Sequence, residues 1–114
     1  MALTRPFKET VLARVREDAA FRDALLKEGI DALLAGDLEI GKSILRDYIN
    51  ATIGFERLSE ETGTPSKSLM RMFGPAGNPN ARNLFSVIRE LQRASGVSFR
   101  VRRSANIAQS RAQR

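Results

Sequence analysis

The side chains best suited to chemistry lie in one short run, Thr64-Pro65-Ser66-Lys67-Ser68, and in Arg71 just beyond it. In a helix beginning at Pro65, Leu69 and Met72 turn inward. Ser66, Lys67 and Arg71 then take the outward face, with Lys67 and Arg71 side by side at a spacing of one helical turn. Arginine can hold guanine O6 and N7 with two parallel bonds, and lysine can also reach guanine. A good bidentate pair gives roughly 1–3 kcal/mol of discrimination between bases. Ser66 can meet a base edge or a phosphate. These three are the candidate base contacts. Thr64 and Ser68, with the N–H groups at the helix start, suit phosphate, as do Asn78, Asn80 and Arg82 further on. A helical hairpin whose polar face is merely wet would carry the same residue types, and Glu60 and Glu61 would repel any phosphate they faced.

Other chemistries have little to build on. The chain has no histidine and no cysteine, which removes imidazole bases, thiol nucleophiles, disulfides and the usual zinc sites. Glu60-Glu61 and Asp37/Glu39 read as solvated helix faces. Gly74 to Asn80, GPAGNPN, lacks the Lys-Ser/Thr of a phosphate-binding loop. Tyr48 lies among apolar helix positions and reads as core. No enzyme activity, metal or cofactor is expected.

The elements that must position the polar run can be read around it. Phe55 to about Thr62 forms one short helix and Pro65 to Phe73 a second, with Gly63-Thr64 as the turn. Glycine stops the first helix without steric cost, and proline suits the start of the second. Leu58, Leu69, Met72 and Phe73 can meet between them. This is a helix-turn-helix pattern over residues 55–73, whose second helix would enter a DNA major groove.

Upstream, Lys8 to Asp18 has helical spacing after a loose lead-in over residues 1–6. Asp18 caps a second helix, about Ala19 to Ala35, with Phe21, Leu25, Ile30, Leu33 and Leu34 mostly on one face. Gly29 weakens its middle by about 1 kcal/mol relative to alanine. Gly36-Asp37 leads into Leu38 to Ile53, where Ile40, Ile44, Leu45, Tyr48 and Ile49 repeat. Downstream, the glycine- and proline-rich loop at residues 74–80 precedes a helix from Ala81 to Ser95. Its stripe is Leu84, Phe85, Ile88 and Leu91, with Val87 and Ala94 at the margins. Val97 to Arg102 alternates apolar and polar residues and reads as one short strand. A lone strand needs a partner for its backbone groups, which points to a twin in a second subunit or a strand of another protein.

The chain has 114 residues, 42% of them apolar, enough for one globular domain with a modest core. The expected architecture is all-α: a compact five- to six-helix bundle over residues 1–102, with a basic, flexible tail at 103–114. The net charge is +6. Residues 1–54 hold 8 basic and 9 acidic side chains, residues 55–102 hold 8 and 4, and residues 103–114 hold 3 and none. Positive charge therefore gathers in the helix-turn-helix and beyond it, as suits a polyanion bound in a salt-dependent way. No apolar run approaches a membrane span, and MALTRPFKET has no apolar core of a signal sequence. A cytoplasmic protein without membrane contact is expected.

The run LSEETGTPSKSLMRM, residues 58–72, resembles the lambda-repressor-like, or Xre-type, helix-turn-helix. That resemblance places base contacts at Ser66, Lys67 and Arg71. Ser59 departs from the alanine usually buried at its position. A broader resemblance, over about residues 4–101, is to the addiction-module antidote proteins, the antitoxins of RelE/ParE-type toxins. It rests on TRPF at residues 4–7, LLAGDLEIGKSILRDYI at 33–49, ETGTPSKSLMRMFGPAGNP at 61–79 and LFSVIRELQRASGVSFRV at 84–101. It implies an antitoxin that neutralises a cognate toxin and, as a homodimer, represses its own operon by binding operator DNA. A stand-alone Xre-type regulator would carry the same features. So would a protein-interaction module that no longer binds DNA.

Overall fold

The computed structural model describes residues 5–105. They form six α-helices: α1 (Arg5–Glu17), α2 (Ala19–Leu34), α3 (Leu38–Ala51), α4 (Phe55–Thr62), α5 (Ser66–Met72) and α6 (Ala81–Ser95). The caps explain most of the boundaries. Asp18 accepts a bond from the Phe21 N–H (3.1 Å) and Asn80 from the Asn83 N–H (2.8 Å), each satisfying an otherwise orphaned donor. Gly63 ends α4 at φ +77°, its N–H donating to the Ser59 carbonyl. Helix α1 begins earlier than its apolar spacing suggests, because Pro6 is tolerated in a first turn. Helix α3 stops at Ala51 rather than Ile53. There the Thr52 hydroxyl donates to the Tyr48 carbonyl, and the Gly54 N–H turns back to Ile49.

The core runs through five of the helices. Leu26 and Ile30 of α2, Leu45, Tyr48 and Ile49 of α3, Phe55 and Leu58 of α4, Leu69 and Met72 of α5 and Val87 and Leu91 of α6 bury into one cluster, with Phe73. The ring centroids of Phe55 and Phe73 lie 6.3 Å apart at a tilt of 51°, which suits an aromatic pair. Helix α1 adds Val15, also fully buried. Gly29, a weak point by propensity, has a packing reason. A Cβ there would fall 2.9 Å from Leu45 Cδ2, and one at Gly41 would fall 2.8 Å from Leu33 Cγ. Helices α2 and α3 approach this closely only because both positions lack a side chain.

The buried faces differ from the expected stripes in three helices. In α3, Ile40 is exposed while Leu45, Tyr48 and Ile49 are buried. In α2, Leu26 is buried and Leu34 is exposed. In α6, Val87 and Leu91 enter the core, Leu84 and Ile88 are half-buried, and Phe85 faces solvent. Apolar periodicity fixes a stripe's direction only to within its width, and the neighbouring helices choose the edge that packs.

The strand expected at residues 97–102 is absent, and the described residues contain no strand. The segment has no ladder partner among the described residues. Instead the Val97 N–H donates to Ser95 Oγ (3.1 Å) and the Phe99 N–H to Gln92 Oε1 (2.7 Å). Of the expected tail, residues 103–105 are exposed; residues 106–114, and residues 1–4 of the lead-in, lie outside the described part. No helix among the described residues is long and apolar enough to cross a membrane.

Candidate nucleic-acid interface

Helix α5 is short, so its placement depends on its neighbours. Leu69 and Met72 lock one side into the core, and Phe73 follows them inward. That leaves Lys67 and Arg71 exposed on the opposite side, with Ser66 and Ser68 half-buried between. Pro65 sits immediately before the helix in an extended conformation, φ −55° and ψ 141°. Thr64 is half-buried, its N–H directed at the Thr62 hydroxyl (3.3 Å). Neither Lys67 nor Arg71 has a carboxylate within ion-pair distance among the described residues.

The loop after α5 is held by a residue that the sequence reading passed over. Lys42 of α3 is 1% exposed. Its ammonium donates to the carbonyl oxygens of Gly74 (3.0 Å) and Gly77 (2.7 Å) and pairs with Glu39 Oε2 at 3.1 Å. An ammonium has three protons, so all its donor capacity is used. A buried charge is tolerable only when it is satisfied in this way. The loop also folds onto the end of α5: the Gly74 N–H donates to Arg71 O and the Gly77 N–H to Gly74 O. A Cβ at Gly77 would overlap the carbonyl oxygen of Arg71, so no larger residue fits without moving the backbone. One signal for Lys42 was present in the sequence. It lies one turn before Leu45 and two before Ile49, on the apolar side of its helix, where a lone lysine calls for buried acceptors.

This clamp shapes a shallow cleft of about 260 Å³ lined by Ser68, Arg71, Asn78 and Asn83, among others. Three of the candidate contacts, Ser68, Arg71 and Asn78, thus meet, together with Asn83, which had not been singled out. Lys67 stands on the exposed side of the same helix, outside the cleft. Asn80 and Arg82 are exposed at the start of α6. The Asn80 carbonyl oxygen is occupied as the α6 cap, which leaves its NH₂ group as the donor that can face a phosphate.

Elsewhere, the acidic residues weighed for catalysis are dispersed. Asp37 caps α3, Glu39 pairs with Lys42, and Glu60 and Glu61 are exposed or nearly so on α4. No group of three or more potential metal ligands gathers among the described residues. A second cleft, of about 470 Å³, lies among Arg16, Arg22, Tyr48 and Arg57. Arg22 has a structural task there, donating to the Val15 carbonyl (3.0 Å) at the end of α1. Tyr48 is 2% exposed. Burial pushes its phenol above the usual value near 10, opposed by the Ser95 hydroxyl beside it. Compared with known protein families, curated proteins and solved structures, the chain gives no match.

Proposed function

We propose that this protein is a sequence-specific DNA-binding antitoxin of the cytoplasm, with a lambda-repressor-like helix-turn-helix formed by α4 and α5. Helix α5 lies in the major groove of operator DNA. Ser66, Lys67 and Arg71 read base edges, and Thr64, Ser68, Asn78, Asn80 and Arg82 hold phosphates. The observation that carries the reading is the division of α5: one side is fixed in the core by Leu69 and Met72, and the other presents two exposed cations one turn apart, neither with an ion-pair partner among the described residues. Excess positive charge in residues 55–102 supports it, because it raises the local affinity for a polyanion. The toxin-neutralising half of the proposal rests on the resemblance of residues 4–101 to addiction-module antidotes. A homodimer would match a two-fold operator.

The test is an electrophoretic mobility shift on the chain's own upstream region, with K67A/R71A. Both side chains are exposed, so the variant keeps its thermal midpoint while specific affinity falls at least tenfold, about 1.4 kcal/mol or more. Undiminished binding by the double variant would refute the assignment. Co-purification with the product of the adjacent gene tests the antitoxin half, since a stand-alone regulator would bind DNA and capture nothing. A non-DNA interaction module is the second reading. The apolar groove described next favours it, and it predicts no shift on any promoter fragment.

A further inference from the structure

The unused edge of the apolar stripe on α6 opens into a groove of about 520 Å³. Ile30, Leu33 and Leu34 of α2 form one wall, Leu84, Phe85 and Ile88 of α6 the other, and Phe99 and Val101 lie at its end. Leu34 is 72% exposed, Phe85 65% and Val101 90%. Apolar residues gathered in one exposed patch mark a contact surface far more often than scattered ones do.

The backbone beside the groove indicates what covers it. In a strand, successive residues direct their N–H groups to opposite edges. The Val97 and Phe99 N–H groups are taken by Ser95 Oγ and Gln92 Oε1 of α6. The alternate N–H groups, at Ser98, Arg100 and Arg102, meet no acceptor among the described residues. Exposure alternates in step over residues 97–100: Val97 and Phe99 are half-buried and Ser98 and Arg100 exposed, while Val101 beyond them is uncovered. One edge of the segment is therefore sealed by its own helix and the other is open.

We propose that the open edge pairs antiparallel with the same segment of a second copy, centred on Phe99. This register sets Ser98 opposite Arg100 of the partner, and Arg100 opposite Ser98, so the open N–H groups at 98 and 100 are the ones it uses. Phe99 then faces its own twin and Val97 faces Val101, an apolar surface continuous with the Phe85 side of the groove. A two-fold pairing centred on Arg100 would instead set like charges directly opposite, which is destabilising. The strand pattern at residues 97–102 is thus satisfied between chains. The pairing gives the homodimer of the proposed function a surface, and its observables need no DNA.

Sedimentation equilibrium of the full chain, up to about 100 μM, tests it. A dimer is expected. R100P removes an N–H on the open edge and should give a monomer. V101P removes one on the other edge and should leave most of the dimer. F85E, on the wall that the pairing continues, should weaken association several-fold, and all three variants should keep the parent's thermal midpoint when compared as monomers. K67A/R71A should remain dimeric, which separates failure here from failure of DNA binding. A monomer at the highest concentration would overturn the proposal. So would equal effects of R100P and V101P, or a full-length monomer that dimerises only after residues 106–114 are removed.

Discussion

Two helix ends in this protein solve the same problem in opposite ways. Helices α5 and α6 each run out into an irregular segment whose backbone must find partners. After α5, the segment turns back on the helix and a buried cation from α3 binds two of its carbonyl oxygens at 2.7 and 3.0 Å. After α6, neutral side chains of the helix itself, Gln92 and Ser95, answer one edge and leave the other open. The first end is closed and fixes the exposed face of α5 in place. The second is half-finished and borders uncovered apolar side chains. A surface that must present side chains to a rigid ligand gains from the first arrangement. A surface that completes itself with another chain needs the second.

The comparison is broken most strongly at Lys42. K42A leaves two loop carbonyls without their donor and opens a void, and should cost about 3 kcal/mol in urea unfolding. On the proposed function, DNA affinity should fall as well, although Lys67 and Arg71 are untouched; affinity retained by K42A would show that the loop does not position α5. G77A tests the same closure from the other side. Its Cβ would collide with the Arg71 carbonyl, and the expected loss is about 2 kcal/mol, as for other overpacked sites. Stability equal to the parent would mean that the loop sits further from α5 than described. Q92A is the matching change at the second end. It removes the one acceptor of the Phe99 N–H, a bond worth about 1 kcal/mol. It should release residues 97–101, seen as faster amide exchange at Phe99, and weaken self-association while the six helices persist. If Q92A instead unfolds the chain as severely as K42A, the contrast between the two ends fails.

Much of the fold was legible because local signals were strong. Asp18 and Asp37 each precede a helix and cap it, and Gly63 lies where α4 must stop; the cap at Asn80, expected only as a phosphate contact, emerged from the structure. The hairpin of α4 and α5 followed from Leu58, Leu69, Met72 and Phe73, all of them buried. Which edge of a stripe packs was not legible, as Phe85 and Leu34 show. Periodicity gives the direction of an apolar face, and only the neighbouring helices decide how much of it they cover. The strand at 97–102 shows a different limit. Alternation states what a segment can pair with, but a ladder also needs a second strand, and the described residues supply none.

What the amino-acid order determined unaided is the number and order of the helices, the boundaries set by a cap or a stop glycine, and which side chains of α5 point outward, because capping and the 3.6-residue repeat act between near neighbours. Tertiary structure alone decided that Lys42 reaches across to Gly74 and Gly77, that Gly29 and Gly41 let α2 and α3 close together, and that a groove remains beside α6. Each of these joins residues distant in the chain, and its energy exists only once packing has brought them within reach.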